Sequence, residues 1–165
     1  MDNRGEIKNL PRAKQLRNFS LLRWGNITPT DIDGFIDFQN KAFVIFEFKV
    51  ENTEILRGQS LAIERLVDNL ENSGKSAIGI IAEHNIPPWE DIEASQCKVT
   101  MLRYKKKWTL YPKKQYTLKY IIDYFLKSNL IEYPIYAPPE FSTNEQLTDK
   151  EIEEISIKID EIADR

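Results

Sequence analysis

Residues 42–50 read Ala-Phe-Val-Ile-Phe-Glu-Phe-Lys-Val, and this stretch decides how the rest of the chain is interpreted. Seven of the nine residues are apolar, with β-branched and aromatic types prominent, which predicts a strand buried on both faces. Glu47 and Lys49 interrupt the apolar run. Because side chains alternate along a strand, both charges point to the same face.

This charged pair has two interpretations. In the first, the strand simply ends here, so that Lys49 reaches solvent and Glu47 pairs with it. In the second, Glu47 binds a cation and Lys49 faces the same site. The second is favoured, because taking a carboxylate and an ammonium group out of water costs several kcal/mol each unless something compensates.

Three carboxylates on the segment just upstream strengthen the second interpretation. Asp31, Asp33 and Asp37 lie at alternate positions in residues 30–38, and Gln39-Asn40-Lys41 is typical of a turn. The two strands are therefore predicted to form an antiparallel hairpin that brings one of these aspartates beside Glu47. Two adjacent carboxylates repel each other, and a hard divalent cation such as Mg²⁺ is the usual remedy.

This pattern resembles the PD-(D/E)XK nuclease superfamily over residues 26–85. The matching positions are Asp33, then Glu47-Phe48-Lys49, then Gln59 on the helix that follows. One departure is that Pro29 does not adjoin the acid, so that Asp31 and Asp37 compete with Asp33. Asp33 is preferred, because Asp-Gly suits a bend and its 14-residue separation from Glu47 fits a hairpin; Asp31 is the reserve.

The resemblance implies a restriction-endonuclease-like core and a Mg²⁺- or Mn²⁺-dependent endonuclease or exonuclease that hydrolyses phosphodiester bonds, with DNA favoured over RNA. It implies that Asp33, Glu47 and the backbone carbonyl of Phe48 hold the metal. Lys49 would orient water and stabilise charge on the phosphate, and Gln59 would support Lys49 or the water. The alternative is a nucleic-acid-binding or protein-interaction module that keeps this fold without cleaving.

Charge is distributed unevenly, although the net charge is only −3. Residues 98–119 carry eight Lys or Arg and no Asp or Glu, a cluster that suits a polyanion. A β-hairpin is predicted over residues 98–111, with three lysines at its tip. The candidate nucleic-acid-binding residues are Lys98, Arg103, Lys105, Lys106, Lys107, Lys113 and Lys114. The alternative is an edge hairpin whose lysines only prevent strand pairing between molecules.

The remaining elements complete an α/β prediction, in which helices flank a mixed central sheet of four or five strands. A helix is expected to open at residues 51–54 and run to about Asn72, with Gln59, Ala62 or Ile63, Leu66 and Leu70 on its buried stripe. Residues 77–82 form the next strand, parallel to the first because a helix connects them. A further helix is predicted over residues 117–127.

Length predicts a single domain, and the resemblance implies that residues 1–132 form it as a nuclease-like domain. Residues 133–147 are a proline-containing linker, and residues 148–165 form an acidic amphipathic helix that could contact a second copy or a protein partner.

One cysteine and one histidine exclude disulfide-rich and histidine-based classes and favour a reducing, cytoplasmic location. No apolar run approaches the ~20 residues of a membrane span. A phage, mobile-element or DNA-repair setting is expected.

Overall fold

The computed structural model of the protein describes residues 21–111, 113 and 116–132. The predicted linker and C-terminal helix lie outside these residues. Contacts divide the chain into two compact units, Met1–Asp31 and Ile32–Arg165. Within the first unit, Trp24 and Ile27 exchange backbone hydrogen bonds of 3.0 and 3.1 Å. The predicted domain bounds stay a prediction.

The second unit contains a five-stranded mixed sheet, in agreement with the predicted α/β class. Its elements, in chain order, are β1 (Gly34–Phe38), β2 (Ala42–Val50), α1 (Arg57–Asn72), β3 (Ser76–His84), a short 3₁₀ turn (Ala94–Gln96), β4 (Lys98–Tyr104), β5 (Lys107–Leu110) and α2 (Leu118–Ser128). The strands lie in the order β1-β2-β3-β4-β5. Only β2 and β3, which α1 connects, are parallel.

Strand β2 is buried on both faces, as its composition predicted, because a different helix covers each face of the sheet. The α1 face buries Phe43, Ile45, Ile63, Val67, Ala77 and Ile81. The α2 face buries Ala42, Val44, Ile78, Ile80, Val99, Leu102, Leu118, Ile121, Phe125 and Leu126. Glu47 and Lys49 follow Phe43 and Ile45 at alternate positions, so they face α1.

Two details of the α1 prediction are wrong. The helix begins at Arg57 rather than at residues 51–54, because Asn52 has a φ of 63° and the N–H of Thr53 donates to Val50 O, closing a turn. Leu66 is 41% exposed, and Val67 is buried in its place. From Ile63, spacings of three and four residues both continue a helical stripe, so periodicity alone did not separate Leu66 from Val67.

Gly79 allows α1 to approach the sheet closely. A Cβ atom at this position would lie 2.4 Å from Ile63 Cγ2 and 3.2 Å from Val67 Cγ2. Both of those side chains are almost completely buried, so they have little room to move away. The absence of a side chain at Gly79 therefore sets the distance between α1 and β3.

We expect Gly79→Ala to lower the free energy of unfolding by about 1–3 kcal/mol, since the added methyl group overpacks the interface. Urea denaturation followed by circular dichroism measures this loss. Gly58→Ala is the matched control, because a Cβ at Gly58 meets no atom within 4 Å. It should leave stability unchanged or raise it by less than about 1 kcal/mol. Equal urea midpoints for Gly79→Ala and the wild type would contradict this account.

Candidate metal and phosphate site

The β1–β2 hairpin brings Asp33 to the level of Glu47. A three-residue turn, Gln39-Asn40-Lys41, with positive φ at Gln39 and Asn40, sets the register, in which Gly34 pairs with Phe46. Asp33 immediately precedes that pair, so it lies opposite Glu47. Its Oδ2 accepts a 2.8 Å hydrogen bond from the backbone N–H of Phe48, which fixes the side chain against β2.

Gly34 lets Asp33 lie this close to β2. A Cβ at Gly34 would fall 1.9 Å from a ring atom of Phe46, so the ring occupies the space in which any side chain would stand. Phe46 is itself tilted against Phe48, with ring centroids 5.2 Å apart. The predicted Asp-Gly bend is therefore present, and its physical reason is the packing of an aromatic ring over a bare backbone.

Glu47, Lys49 and Gln59 form a hydrogen-bonded triad on the α1 face. Lys49 Nζ donates to Glu47 Oε1 at 3.0 Å and to Gln59 Oε1 at 2.6 Å. Gln59 Nε2 donates to the same Glu47 oxygen. Gln59 reaches the strand because it lies in the first turn of α1, one helical repeat before Ile63. The structure thus joins three of the four predicted catalytic residues directly.

The second carboxylate oxygen of Glu47 has no hydrogen-bond partner, although the residue is only 4% exposed. Burial raises the pKa of the Glu47 carboxyl above its ordinary value, and the negative charge of Asp33 adds to the increase. The hydrogen bond and positive charge of Lys49 oppose this increase, and the backbone N–H of Asp33 opposes it to a smaller extent. A buried oxygen without a partner is energetically costly, and a positively charged ligand would remove that cost.

The donor set fits Mg²⁺ or Mn²⁺. Asp33 and Glu47 supply hard oxygen ligands at one level of the hairpin, and Mg²⁺ is commonly held by one or two carboxylates, with water and substrate phosphate completing its shell. Among the described residues, no group of three or more His, Cys, Asp or Glu side chains is placed to hold a metal. The side chains of the described residues alone therefore do not complete the coordination shell of a metal ion.

The competing aspartates differ from Asp33 in position. Asp37 pairs with Phe43, four residues along β2 from Glu47, which is about 13 Å at 3.3 Å per residue. Its Oδ1 accepts a 2.6 Å hydrogen bond from the N–H of Asn40, so it stabilises the turn. Asp31 is exposed and belongs to the first unit. Its reserve role stays a prediction.

Sequence reasoning missed Glu83. The sheet register pairs Lys49 with Glu83 and Glu83 with Lys98, so three charged residues on adjacent strands form one row. All three side chains lie on the α1 face, because paired residues share a face. The prediction ended β3 at Ala82, one residue before Glu83, and only the register with β2 shows that Glu83 lies on the face that carries Glu47.

The predicted nucleic-acid-binding residues do not form one patch. Lys98 belongs to the row of Lys49 and Glu83 and is the partner of Glu83 in it. Lys105, Lys106 and Lys107 lie at the opposite end of β4, about 20 Å from Lys98 at 3.3 Å per residue. All four of these residues are exposed. The tip itself is a two-residue turn with positive φ at Lys105 and Lys106, which confirms the predicted hairpin.

Arg103 is not available to a phosphate. It is 8% exposed and donates to both carboxylate oxygens of Asp68, at 3.0 and 2.6 Å. This two-point ion pair ties β4 to α1, so its role is to hold the helix in place. Lys113 is exposed, and Lys114 lies outside the described residues.

Comparisons of the chain with protein-family models, with curated proteins and with solved structures found no match. Across the described residues, neither helix has the length and apolar composition that crossing a membrane requires.

The hairpin register generates a test of the metal ligands. Asp33→Asn should weaken Mn²⁺ or Mg²⁺ binding by at least about 10-fold, because it removes a charged ligand opposite Glu47. Asp37→Asn is the matched control, with the same change in charge four residues further along the chain, and it should bind the metal like the wild type. Isothermal titration calorimetry measures the metal affinity of the wild type and of both variants. The reverse ranking would transfer the ligand role to Asp37.

Proposed function

We propose that this protein is a metal-dependent nuclease that hydrolyses phosphodiester bonds in nucleic acid, with DNA as the expected substrate. The observation that carries the proposal is the buried Glu47 carboxylate. One of its oxygens accepts hydrogen bonds from Lys49 and Gln59, and the other has no hydrogen-bond partner. The negative charge of Asp33 acts on the same carboxyl group. This arrangement combines a cation site and a fixed ammonium group at one point of the sheet.

A purely structural ion pair explains the arrangement less well. Replacing a buried ion pair by apolar side chains of similar volume is often neutral or stabilising, so stability alone does not call for charges here. A structural pair would also be expected to satisfy both oxygens of Glu47, whereas Oε2 lacks a partner. Binding a cation supplies the missing partner.

Each residue of the proposed site has a distinct role. Asp33, Glu47 and the backbone carbonyl of Phe48 would hold the ion. When bound, such an ion polarises a phosphoryl oxygen and lowers the pKa of a water molecule. Lys49 has three N–H donors, two of which are directed to Glu47 and Gln59, and the third is left for a water or a phosphate oxygen.

Lys49 stabilises the charge that hydrolysis creates. A water oxygen bonds to phosphorus as the bond from phosphorus to one ester oxygen breaks, and negative charge accumulates on the phosphate oxygens. An ammonium group held in place beforehand stabilises that charge without reorganising. Gln59 orients Lys49, because its side chain bridges Lys49 and Glu47 in a fixed geometry.

The proposal extends to a restriction-endonuclease-like fold of the PD-(D/E)XK type. Its support is the sequence of an acid before β1, Glu-Phe-Lys in β2 and Gln59 in the first turn of α1, all carried by an antiparallel hairpin and a parallel crossover. The second candidate is a module that binds nucleic acid without cutting it. It is favoured by the finding that no group of three or more His, Cys, Asp or Glu side chains is placed to hold a metal among the described residues.

Cleavage by point variants tests the catalytic assignment. With Mn²⁺ or Mg²⁺, Glu47→Gln and Lys49→Met should each lose about 100-fold or more of the cleavage rate on labelled DNA, because each removes charge from the site. Both changes roughly keep side-chain volume, and circular dichroism verifies the fold. Glu54→Gln, at an exposed position before α1, is the matched control and should retain activity. Full activity in both site variants would refute the assignment.

Salt dependence tests the hairpin tip. If Lys105, Lys106 and Lys107 contact phosphates, replacing all three by Ala should reduce the log–log slope of affinity against salt by roughly two to three units on duplex DNA. The maximal cleavage rate should change little, since the tip lies far from Glu47. An unchanged slope, together with greater light scattering by the variant, would identify the lysines as protection against aggregation.

A further inference from the structure

A cavity opens beside the charged row, at the carboxyl ends of β2 and β3. Its volume is about 210 Å³, and most of its lining is apolar. Ile86, Ile92 and Cys97 contribute apolar walls, and Asn85 and Gln96 contribute amide groups. Ile86 and Ile92 are 36% and 42% exposed, so they face an accessible space rather than a closed core.

The cavity shares two residues with the row, Glu83 and Lys98. Lys98 lies two strands away from Lys49, or about 10 Å at 4.8 Å per strand. Successive phosphates of one strand advance about 3.4 Å along a duplex axis, so Lys98 is within a few nucleotides of a phosphate held at Lys49. A nucleic-acid strand that crosses the sheet along this row passes the mouth of the cavity.

We infer that Lys98 and this cavity form a subsite for one nucleotide close to the cleaved bond, in which Lys98 contacts the phosphate and the cavity takes the unpaired base. This inference rests on the proposed nuclease function and adds the form of the substrate. A base can enter only when it has left its stack, so the strand is single-stranded or unpaired at that position.

The chemistry of the lining favours a base over a phosphate as the occupant. Glu51, Glu83 and Glu93 line the cavity, and their charge would repel an anion inside it. A nucleobase is neutral, its faces pack on apolar side chains such as Ile86 and Ile92, and its edge can hydrogen-bond to Asn85 or Gln96. Lys98 is exposed, so it can hold the phosphate outside.

The loop that carries these residues is anchored at both ends. His84 Nδ1 accepts a 3.2 Å hydrogen bond from the N–H of Ile86, and the N–H of Glu51 donates to His84 O at 2.9 Å. At the other end, Glu93 Oε1 accepts from the backbone and the hydroxyl of Ser95. His84 therefore has a structural role, because it joins the end of β3 both to Ile86 and to Glu51.

An abasic scan tests the inference. A fluorescent single-stranded DNA oligonucleotide, with one abasic site moved along its length, is titrated with the full chain in EDTA, and affinity is read by anisotropy. The wild type should lose about 5- to 100-fold in affinity when the abasic site occupies one particular position, because one stacked base is lost. Ile86→Ala combined with Ile92→Ala should bind the intact oligonucleotide more weakly and respond less to that abasic site.

Two controls match these variants. Leu66→Ala removes an equally exposed apolar side chain from α1 and should keep the full abasic response. Lys98→Ala should reduce the salt slope on single strands by about 0.7, whereas Lys41→Ala, at the opposite end of β2, should not. Cleavage by the wild type is measured separately, with Mn²⁺ or Mg²⁺ in place of EDTA. If the wild type binds DNA in EDTA and cleaves it with metal but the abasic scan is flat, this inference is wrong and the proposed nuclease function stands. If the wild type neither binds nor cleaves any oligonucleotide, the proposed nuclease function fails with it.

Discussion

The structure of the site depends on one buried negative charge. Glu47 stands in a strand that is otherwise apolar, and its surroundings raise the pKa of its carboxyl group. Lys49 and Gln59 share one of its oxygens, so most of the available stabilisation falls on one side of the carboxylate. The other oxygen has no hydrogen-bond partner, and the negative charge of Asp33 further raises the pKa of the carboxyl group. The proposed cation would offset both of these costs.

The sheet positions these groups by simple geometry. Alternation along β2 puts Glu47 and Lys49 on one face, the hairpin register puts Asp33 opposite Glu47, and Gly79 lets α1 approach closely enough for Gln59 to reach both charges. Each of these features is a property of the fold and not of the side chains proposed to react. A change in any of them would move a proposed site residue without altering its identity, and such a displacement commonly lowers activity.

The local features could be predicted from the sequence, whereas long-range features could not. The Glu47 and Lys49 face, the hairpin and Gln59 follow from alternation, turn composition and helical spacing within a short segment. Glu83 was missed because its place beside Lys49 depends on how two distant strands pair. The burial of Arg103 depends on Asp68, which lies 35 residues away. The separation of Lys98 from Lys105, by contrast, follows from the length of β4 in the predicted hairpin.

The order of these elements along the chain has a consequence for synthesis. The four site residues are Asp33 directly before β1, Glu47 and Lys49 on β2, and Gln59 on α1, and all of them emerge from the ribosome before β3. Until β3 arrives, β2 presents an unpaired edge of apolar residues, the kind of edge to which another nascent chain can add. Glu47 and Lys49 place two charges on that edge. The same pair to which we assign a catalytic role would therefore make the unfinished protein less prone to associate with its neighbours.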